Sequence, residues 1–423
     1  MIKYDLVIIG GGSAGLAAAV SAYDNGIKSI VVLEKEKALG GILLQCIHNG
    51  FGLQTYKEEL TGPEYAYRAE QELHKRKIDY KLETMVTEIT KDLKISFINP
   101  IDGFCVIEAK AIITSTGCIE RNRGAIQIPG DRPSGVLTAG AAQKYLNIEG
   151  YLVGKKVFIL GSGDIGLIMA RRMTLEGAEV LGVAELMPYS NGLNRNIVQC
   201  LNDYNIPLYL SHTVKRIIGK DRLEKIVLSQ VDENFNFIEG TEKEFEVDTL
   251  LLSVGLIPSN TLLQNIGVKM HPATKGPVVD DTYQTSIKGI FACGNSLHVH
   301  DLVDFVTEES AKVGYYASKY IKNELNPGHI VNVYNGQGIN YILPTTINTE
   351  SSSESQLFFR VKTPHKSCLL QVYADGVLVK KVKKTYLIPS EMERIKINSD
   401  LLKNSNNVTL EVIDEWVNLH CVP

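Results

Sequence analysis

One short pattern, written twice, constrains this 423-residue chain more than any other feature. In the first copy the apolar run Leu6 to Ile9 meets Gly10-x-Gly12-x-x-Gly15 directly. An Ala-rich segment follows to the stop Asn25-Gly26, then a second apolar run, Ser29 to Leu33, and an acid, Glu34. In the second copy Lys156 to Leu160 leads into Gly161-x-Gly163-x-x-Gly166 and Leu167 to Glu176. The stop Gly177, the run Glu179 to Ala184 and the acid Glu185 complete it. Apolar runs bounded by glycine or charge read as buried parallel strands, and the glycine stops mark helix ends. The acid trails the first glycine by 24 residues in both copies. Equal spacing makes chance a poor explanation and repetition of one strand–turn–helix–strand unit a simple one.

Each residue type in the pattern has a chemical task. The first glycine permits the tight turn, the second lets backbone approach a pyrophosphate, and the third lets helix and strand pack closely. The helix start offers free N–H groups and a partial positive charge to phosphate. The acid accepts hydrogens from an adenosine ribose. Two dinucleotide-binding units are therefore expected. Glu185 would repel a 2′-phosphate, and Met187-Pro188 follow it rather than an arginine pair. The second unit is expected to prefer NAD(H) to NADP(H).

Between the repeats the pattern changes. Residues 39–62 form a Gly-rich loop in which Cys46 and His48 have two open readings, site residues or loop packing. Pro63 to Lys77 reads as an amphipathic helix, and Asp79 to Lys110 as a β-meander closing on Ala111 to Gly117, small residues against which a cofactor can lie. Arg121 and Arg123 either bind phosphate or sit in solvent, and Thr138 to Asn147 is a short helix. A second meander is expected from Leu223 to Val247, and Thr249 to Gly255 parallels the Ala111 segment. Gly289 to Asn295 returns to the first unit's idiom, and a helix is expected from about Val306 to Glu324. Beyond Pro327 come a Ser-rich break, Ser351 to Ser355, and short alternating runs around the hairpin signal Ala374-Asp375-Gly376. That stretch reads as a small β-sandwich serving docking or dimerisation. The fold class expected is α/β, with two Rossmann-like domains, meander insertions and a C-terminal all-β domain. The boundaries are 1–118 with 261–328, 119–260, and 329–423.

Composition excludes several functions. A net charge of −4 gives no reason to expect nucleic acid or an anionic membrane as partner. The seven cysteines (46, 105, 118, 200, 293, 368 and 421) show neither CxxC nor CxxxxC spacing. No zinc site, cysteine-ligated iron–sulfur cluster or other metal is expected, and no disulfide framework. No run approaches a membrane span and the N-terminus carries no leader pattern, so the expected location is the cytoplasm.

GGGSAG at 10–15, TSTG at 114–117, GSGDIG at 161–166, SVGLIPS at 253–259 and GIFACGN at 289–295 together resemble one known group. It is the pyridine-nucleotide-dependent flavoproteins with two dinucleotide-binding domains, the glutathione reductase and NADH oxidase group, over residues 1 to about 328. The resemblance implies FAD on Gly10, Gly12, Ser13, Ala14, Gly15, Glu34, Lys35, Gly41, Val86, Thr116, Gly117, Gly294, Asn295 and Thr307. It implies NAD(H) on Gly161, Gly163, Asp164, Ile165, Gly166, Glu185 and Gly255. Asn295 stands where the group usually has Asp, and its amide can still accept from a ribityl hydroxyl. The group's disulfide reductases carry a cysteine pair after the first domain's Gly-Gly; here Gly40-Gly41 is followed by Cys46 alone, which excludes relay through an internal disulfide.

The loop GGILLQCIHNGFG at 40–52, Ile119-Glu120-Arg121, Asp131 to Ala141 and NSLHVHDLVD at 295–304 are similar to a narrower branch. It holds the FAD subunits related to opine oxidase and hydrogen cyanide synthase, described as partners of an FAD-dependent glycerol-3-phosphate dehydrogenase. The implied reaction is hydride transfer between nicotinamide and flavin, with electrons exchanged with a partner dehydrogenase or iron–sulfur protein. The alternatives are a self-contained NADH oxidase or small-molecule reductase, and a non-catalytic nucleotide-binding scaffold. A helix starting near Thr307-Glu308 would aim its N–H groups at the flavin pyrimidine. His298 and His300, just before it, are candidates for acid–base work, against a structural role.

Overall fold

The computed structural model describes residues 2–326 and 328–414; Cys421 lies outside them. The first apolar run is strand β1, Ile2–Ile9, and it feeds helix α1, Ser13–Asp24, and strand β2, Ile30–Leu33. A capping box at Thr61 and Glu64 starts helix α2, Gly62–Lys75. The long strand β3, Gly103–Thr114, ends the first meander. The second repeat is strand β4, Lys156–Leu160, helix α3, Asp164–Leu175, and strand β5, Glu179–Glu185, followed later by β6, Thr249–Leu252. Strand β7, Ile290–Ala292, and helix α4, Val303–Ile321, return to the first half. In the C-terminal region the longer strands are β8, Glu354–Val361, β9, His365–Ala374, and β10, Val377–Leu387.

In the first sheet β1 lies between β2 and β3, parallel to both, with Leu6 opposite Ile30 and Ile9 opposite Thr114. Strand β7 adds to β3 in parallel. The meander hairpin Met85–Ile89 and Lys94–Asn99 extends the same sheet in antiparallel sense beyond β3. Residues Leu6, Val7 and Ile8 are fully buried, as a parallel strand covered on both faces requires. Helices α1 and α4 cross closely because position 314 is glycine: a Cβ there would stand 2.2 Å from the Ala18 carbonyl oxygen. The second half repeats the plan, with β4 between β5 and β6 in an all-parallel sheet. Its meander forms a separate three-stranded sheet and begins at His212, one strand earlier than the alternation beyond Leu223 suggests.

Residues 330–414 form two facing sheets. One has five strands, including β9 and β10; the other has three, with β8 in the middle. Leu357, Phe359, Leu370, Val372 and Leu410 fill the space between them. The chain divides into two compact units. One runs to Cys118 and resumes at Pro258; the other is Ile119–Ile257. The sandwich belongs to the first of these, and Tyr341 and Leu343 enter the same core as Leu6, Ala18 and Phe291. No helix among the described residues is long and apolar enough to cross a membrane.

Candidate cofactor sites

The three glycines of each repeat answer to different neighbours. A Cβ on Gly10 would stand 2.4 Å from the Ser115 carbonyl oxygen, and one on Gly15 would stand 1.9 Å from that of Gly10. Gly161 and Gly166 meet Ser253 and Gly161 in the same way, at 2.0 and 2.6 Å. These four are demanded by packing. Gly12 and Gly163 are not. Their φ values, −75° and −64°, suit any residue. The nearest atom to a Cβ on Gly12 is the Gly41 Cα at 3.9 Å, and on Gly163 the Ser253 Oγ at 3.4 Å. The protein leaves room for a side chain at both places, and the same room is open to a group that comes from outside. Both positions cap helices of 12 residues that no side chain caps. The first-turn N–H groups have no intrahelical acceptor, and the positive end of each helix faces the same spot. A dinucleotide pyrophosphate fits both.

The acids are placed alike. Glu34 is buried, with Oε2 accepting from the Gly11 N–H at 2.6 Å and Oε1 from the Glu36 N–H at 2.8 Å. In the second unit Glu185 Oε2 accepts from the Ser162 N–H at 3.0 Å and the Ser162 hydroxyl at 2.6 Å. Its Oε1 accepts from the Met187 N–H at 3.0 Å. Gly11 and Ser162 stand between the first two glycines of their repeats, so each acid is held beside the second glycine.

The remaining predicted residues fall into two groups. Gly41 lines the Gly12 position, Ala14 and Ser13 open α1, and Gly117 and Gly255 close the two equivalent third strands. Thr116 donates to the Ser259 carbonyl at 2.6 Å. Asp164 and Ile165 open α3, but the Asp164 carboxylate turns aside to accept from the Leu193 N–H at 2.9 Å and the Asn196 amide at 2.7 Å. Lys35 is exposed, and Val86 packs half-buried against the core that holds Val7 and Phe97. Sequence reasoning missed Ser115, which donates to the Ile9 and Gly10 carbonyls, and Ser253, which accepts from the Gly166 N–H at 3.1 Å.

The loop candidates have defined surroundings. Burial pushes the Cys46 thiol up to about 12, so it carries no thiolate at neutral pH. His48 Nδ1 lies 3.0 Å from the Asn49 carbonyl oxygen and its ring 4.9 Å from that of Phe51. Helix α4 starts at Val303, four residues before Thr307, because Leu302 is extended and Asp304 is drawn inward. The Asp304 carboxylate accepts from the N–H groups of Gly52 and Thr55, at 3.2 and 2.7 Å. Thr307 lies beyond the first turn, its hydroxyl 2.7 Å from that of Tyr65. The Asn295 side-chain amide oxygen, Oδ1, accepts from the His300 backbone N–H at 3.0 Å. His298 and His300 are buried and turned to Glu309, a residue that no motif marks. Their ligating atoms all lie within 4.8 Å of one another.

Comparison with known proteins agrees with this geometry. The pattern of the pyridine nucleotide-disulphide oxidoreductase family matches residues 4–312. One of the opine oxidase subunits of Agrobacterium tumefaciens is 27% identical over 69% of this chain and 61% of its own length. The NADH oxidase of Methanocaldococcus jannaschii is 26% identical over 72% of this chain and 64% of its own. The match thus spans about three fifths of these relatives' length. The thioredoxin reductase of T. acidophilum shares the fold, with a TM-score of 0.60 and 24% identity, covering 77% of this chain and 99% of that one. The chain belongs to the pyridine nucleotide-disulphide oxidoreductase family.

Proposed function

We propose that this member of the family is an FAD-dependent NAD(H) oxidoreductase subunit that passes a hydride between nicotinamide and flavin. Its electrons are exchanged with a partner, a dehydrogenase resembling glycerol-3-phosphate dehydrogenase or an iron–sulfur protein. The observation that carries the reading is the open approach to Gly12 and Gly163, where nothing in the protein requires glycine. FAD in the first unit and NAD(H) in the second supply the hydride chemistry when bound, and the chain supplies position and field.

The N–H groups of Ser13 and Ala14 hold one pyrophosphate and those of Asp164 and Ile165 the other. Glu34 and Glu185 orient the adenosine riboses. The Glu185 carboxylate, fixed by Ser162 and Met187, supports NAD(H) over NADP(H) by repelling a 2′-phosphate. A protonated, half-buried Cys46 gives no support to thiol relay. That leaves flavin to exchange electrons outward, and the name of the Agrobacterium relative, which is one component of an oxidase, supports a partner. Thiols rather than disulfides at the described cysteines suit the cytoplasm. A second reading, a self-contained NADH oxidase, is favoured by the name of the Methanocaldococcus relative.

The test is an anaerobic NADH titration of the purified chain at the flavin absorbance, with NADPH in parallel. Bleaching by NADH, less by NADPH, and slow consumption once air is admitted is the expected result. Rapid turnover in air selects the self-contained oxidase. A colourless protein, or flavin that NADH does not reduce, overturns both and leaves a nucleotide-binding scaffold.

A further inference from the structure

We propose that Glu309, with His298 and His300, is the buried positioning group that sets the Gly294–Asn295 turn of the FAD site, and that the C-terminal sandwich closes this cluster. The inference rests on the reading of that turn as FAD-binding.

Glu309 lies on the buried stripe of α4 with Val306, Val313 and Ala317, and is 1% exposed. A carboxylate on an apolar helix face is costly unless its lone pairs are filled. Here one short segment fills them. Oε1 accepts from the Gly294 N–H at 2.8 Å and faces His300 Nε2 at 3.1 Å; Oε2 contacts His298 Nε2 at 2.6 Å. The His300 contact is off the line of an ideal hydrogen bond and is the weaker of the two. His298 Nδ1 is buried with no hydrogen-bond partner among the described residues, which assigns that ring's proton to Nε2, toward the carboxylate. Burial raises the Glu309 carboxyl, and the two imidazoles more than reverse this, holding it well below the ordinary range. Burial pushes His298 down, so it donates as a neutral ring.

Two imidazoles and a carboxylate are also a donor set for metal, and a length decides the matter. Ligands on bonds of about 2.0–2.1 Å at right angles or wider stand about 3 Å apart or more. The 2.6 Å between His298 and Glu309 is a charge-assisted hydrogen bond.

The sandwich grips the other side of the same segment. The rings of Tyr341 and Phe358 meet His298 edge-on at 6.4 and 5.4 Å. Arg360 pairs with Asp301 and donates to the Val299 carbonyl at 3.2 Å, while the Met392 N–H donates to Asp301 at 2.6 Å. Residues 294–301 are therefore held between α4 and the sandwich. The sandwich is part of the FAD site's support.

The experiment compares wild-type protein with Glu309→Gln, which keeps the volume and removes the charge. FAD affinity is read by release of flavin fluorescence, and the midpoint potential by dye equilibration. FAD binding is expected to weaken about tenfold or more, the value of a lost charge-assisted hydrogen bond. The potential is expected to move positive, since a buried negative charge near the flavin turn is gone. His298→Gln, which still donates an N–H, is expected to stay within about threefold of wild type. Should Glu309→Gln not fold, Asp301→Asn decides: removing the Arg360 pair is expected to weaken FAD at least about threefold. Affinity and potential unchanged in the folded variant, Glu309→Gln or in its place Asp301→Asn, with a wild type that does bind FAD, overturn this inference alone. One equivalent of bound metal in the purified protein also overturns it. A wild type that binds no FAD overturns both this and the functional reading.

Discussion

At Gly12 and Gly163 a methyl group would meet the protein at ordinary contact distance, whereas at Gly161 it would strike the Ser253 carbonyl oxygen. The two kinds of glycine predict opposite phenotypes. Gly163→Ala is expected to leave the thermal midpoint unchanged and to weaken NADH binding about tenfold or more, through loss of close approach to the pyrophosphate. Gly161→Ala, forced into a left-handed backbone at φ +98° and against Ser253, is expected to lower stability by about 1–3 kcal/mol. Thermal melts with a parallel NADH titration check both. The roles of the glycines were legible from their order in the motif; the partners they pack against were not, because Ser115 lies 105 residues beyond Gly10 and Ser253 lies 92 beyond Gly161. The acids were legible because their neighbours are local in sequence. Glu309 was hidden: beside Glu308 on a helix it reads as a solvated face, and the one sign of burial was its spacing, three residues after Val306 and four before Val313.

At the scale of elements, both repeats stood out because each strand, turn and helix is set by neighbours within a few residues. The start of helix α4 did not, since its cap is Leu302 and none of the usual capping side chains marks it. Its position is set instead by Asp304 bonding Gly52 and Thr55, some 250 residues earlier. The segment joining β7 to α4 carries a consequence for pH. His298 is held below its ordinary value, facing Glu309, His300 and, at longer range, Arg360. The folded chain keeps it neutral where the unfolded chain, with a histidine value of about 6.5, takes a proton. Stability is therefore lost as pH falls below about 6.5. Glu309, depressed, acts in the same sense at lower pH, its contribution lost as pH falls below the ordinary carboxyl range. The unfolding midpoint of wild type is expected to fall more steeply between about pH 7.5 and 5.5 than that of His298→Gln, measured by thermal denaturation across that range.

For the whole molecule, the C-terminal sandwich shares a core with the first unit through Tyr341 and Leu343 and clamps the segment at 294–301 through Arg360. Removal of residues 329–423 is expected to expose the His298 face, so that the truncated chain loses FAD on gel filtration while the full chain retains it. Alternation of short strands revealed a sandwich; it carried no sign of where the sandwich sits, because that depends on Arg360 and Asp301, charges 59 residues apart. The two acids add a last distinction. An ionised carboxylate offers about four lone-pair sites. Among the described residues the fold already uses two on Glu34 and three on Glu185. Two stay available to a ribose diol in the first unit and one in the second. On the proposed function, the acid of the first unit is therefore expected to take both hydroxyls of a ribose and that of the second only one.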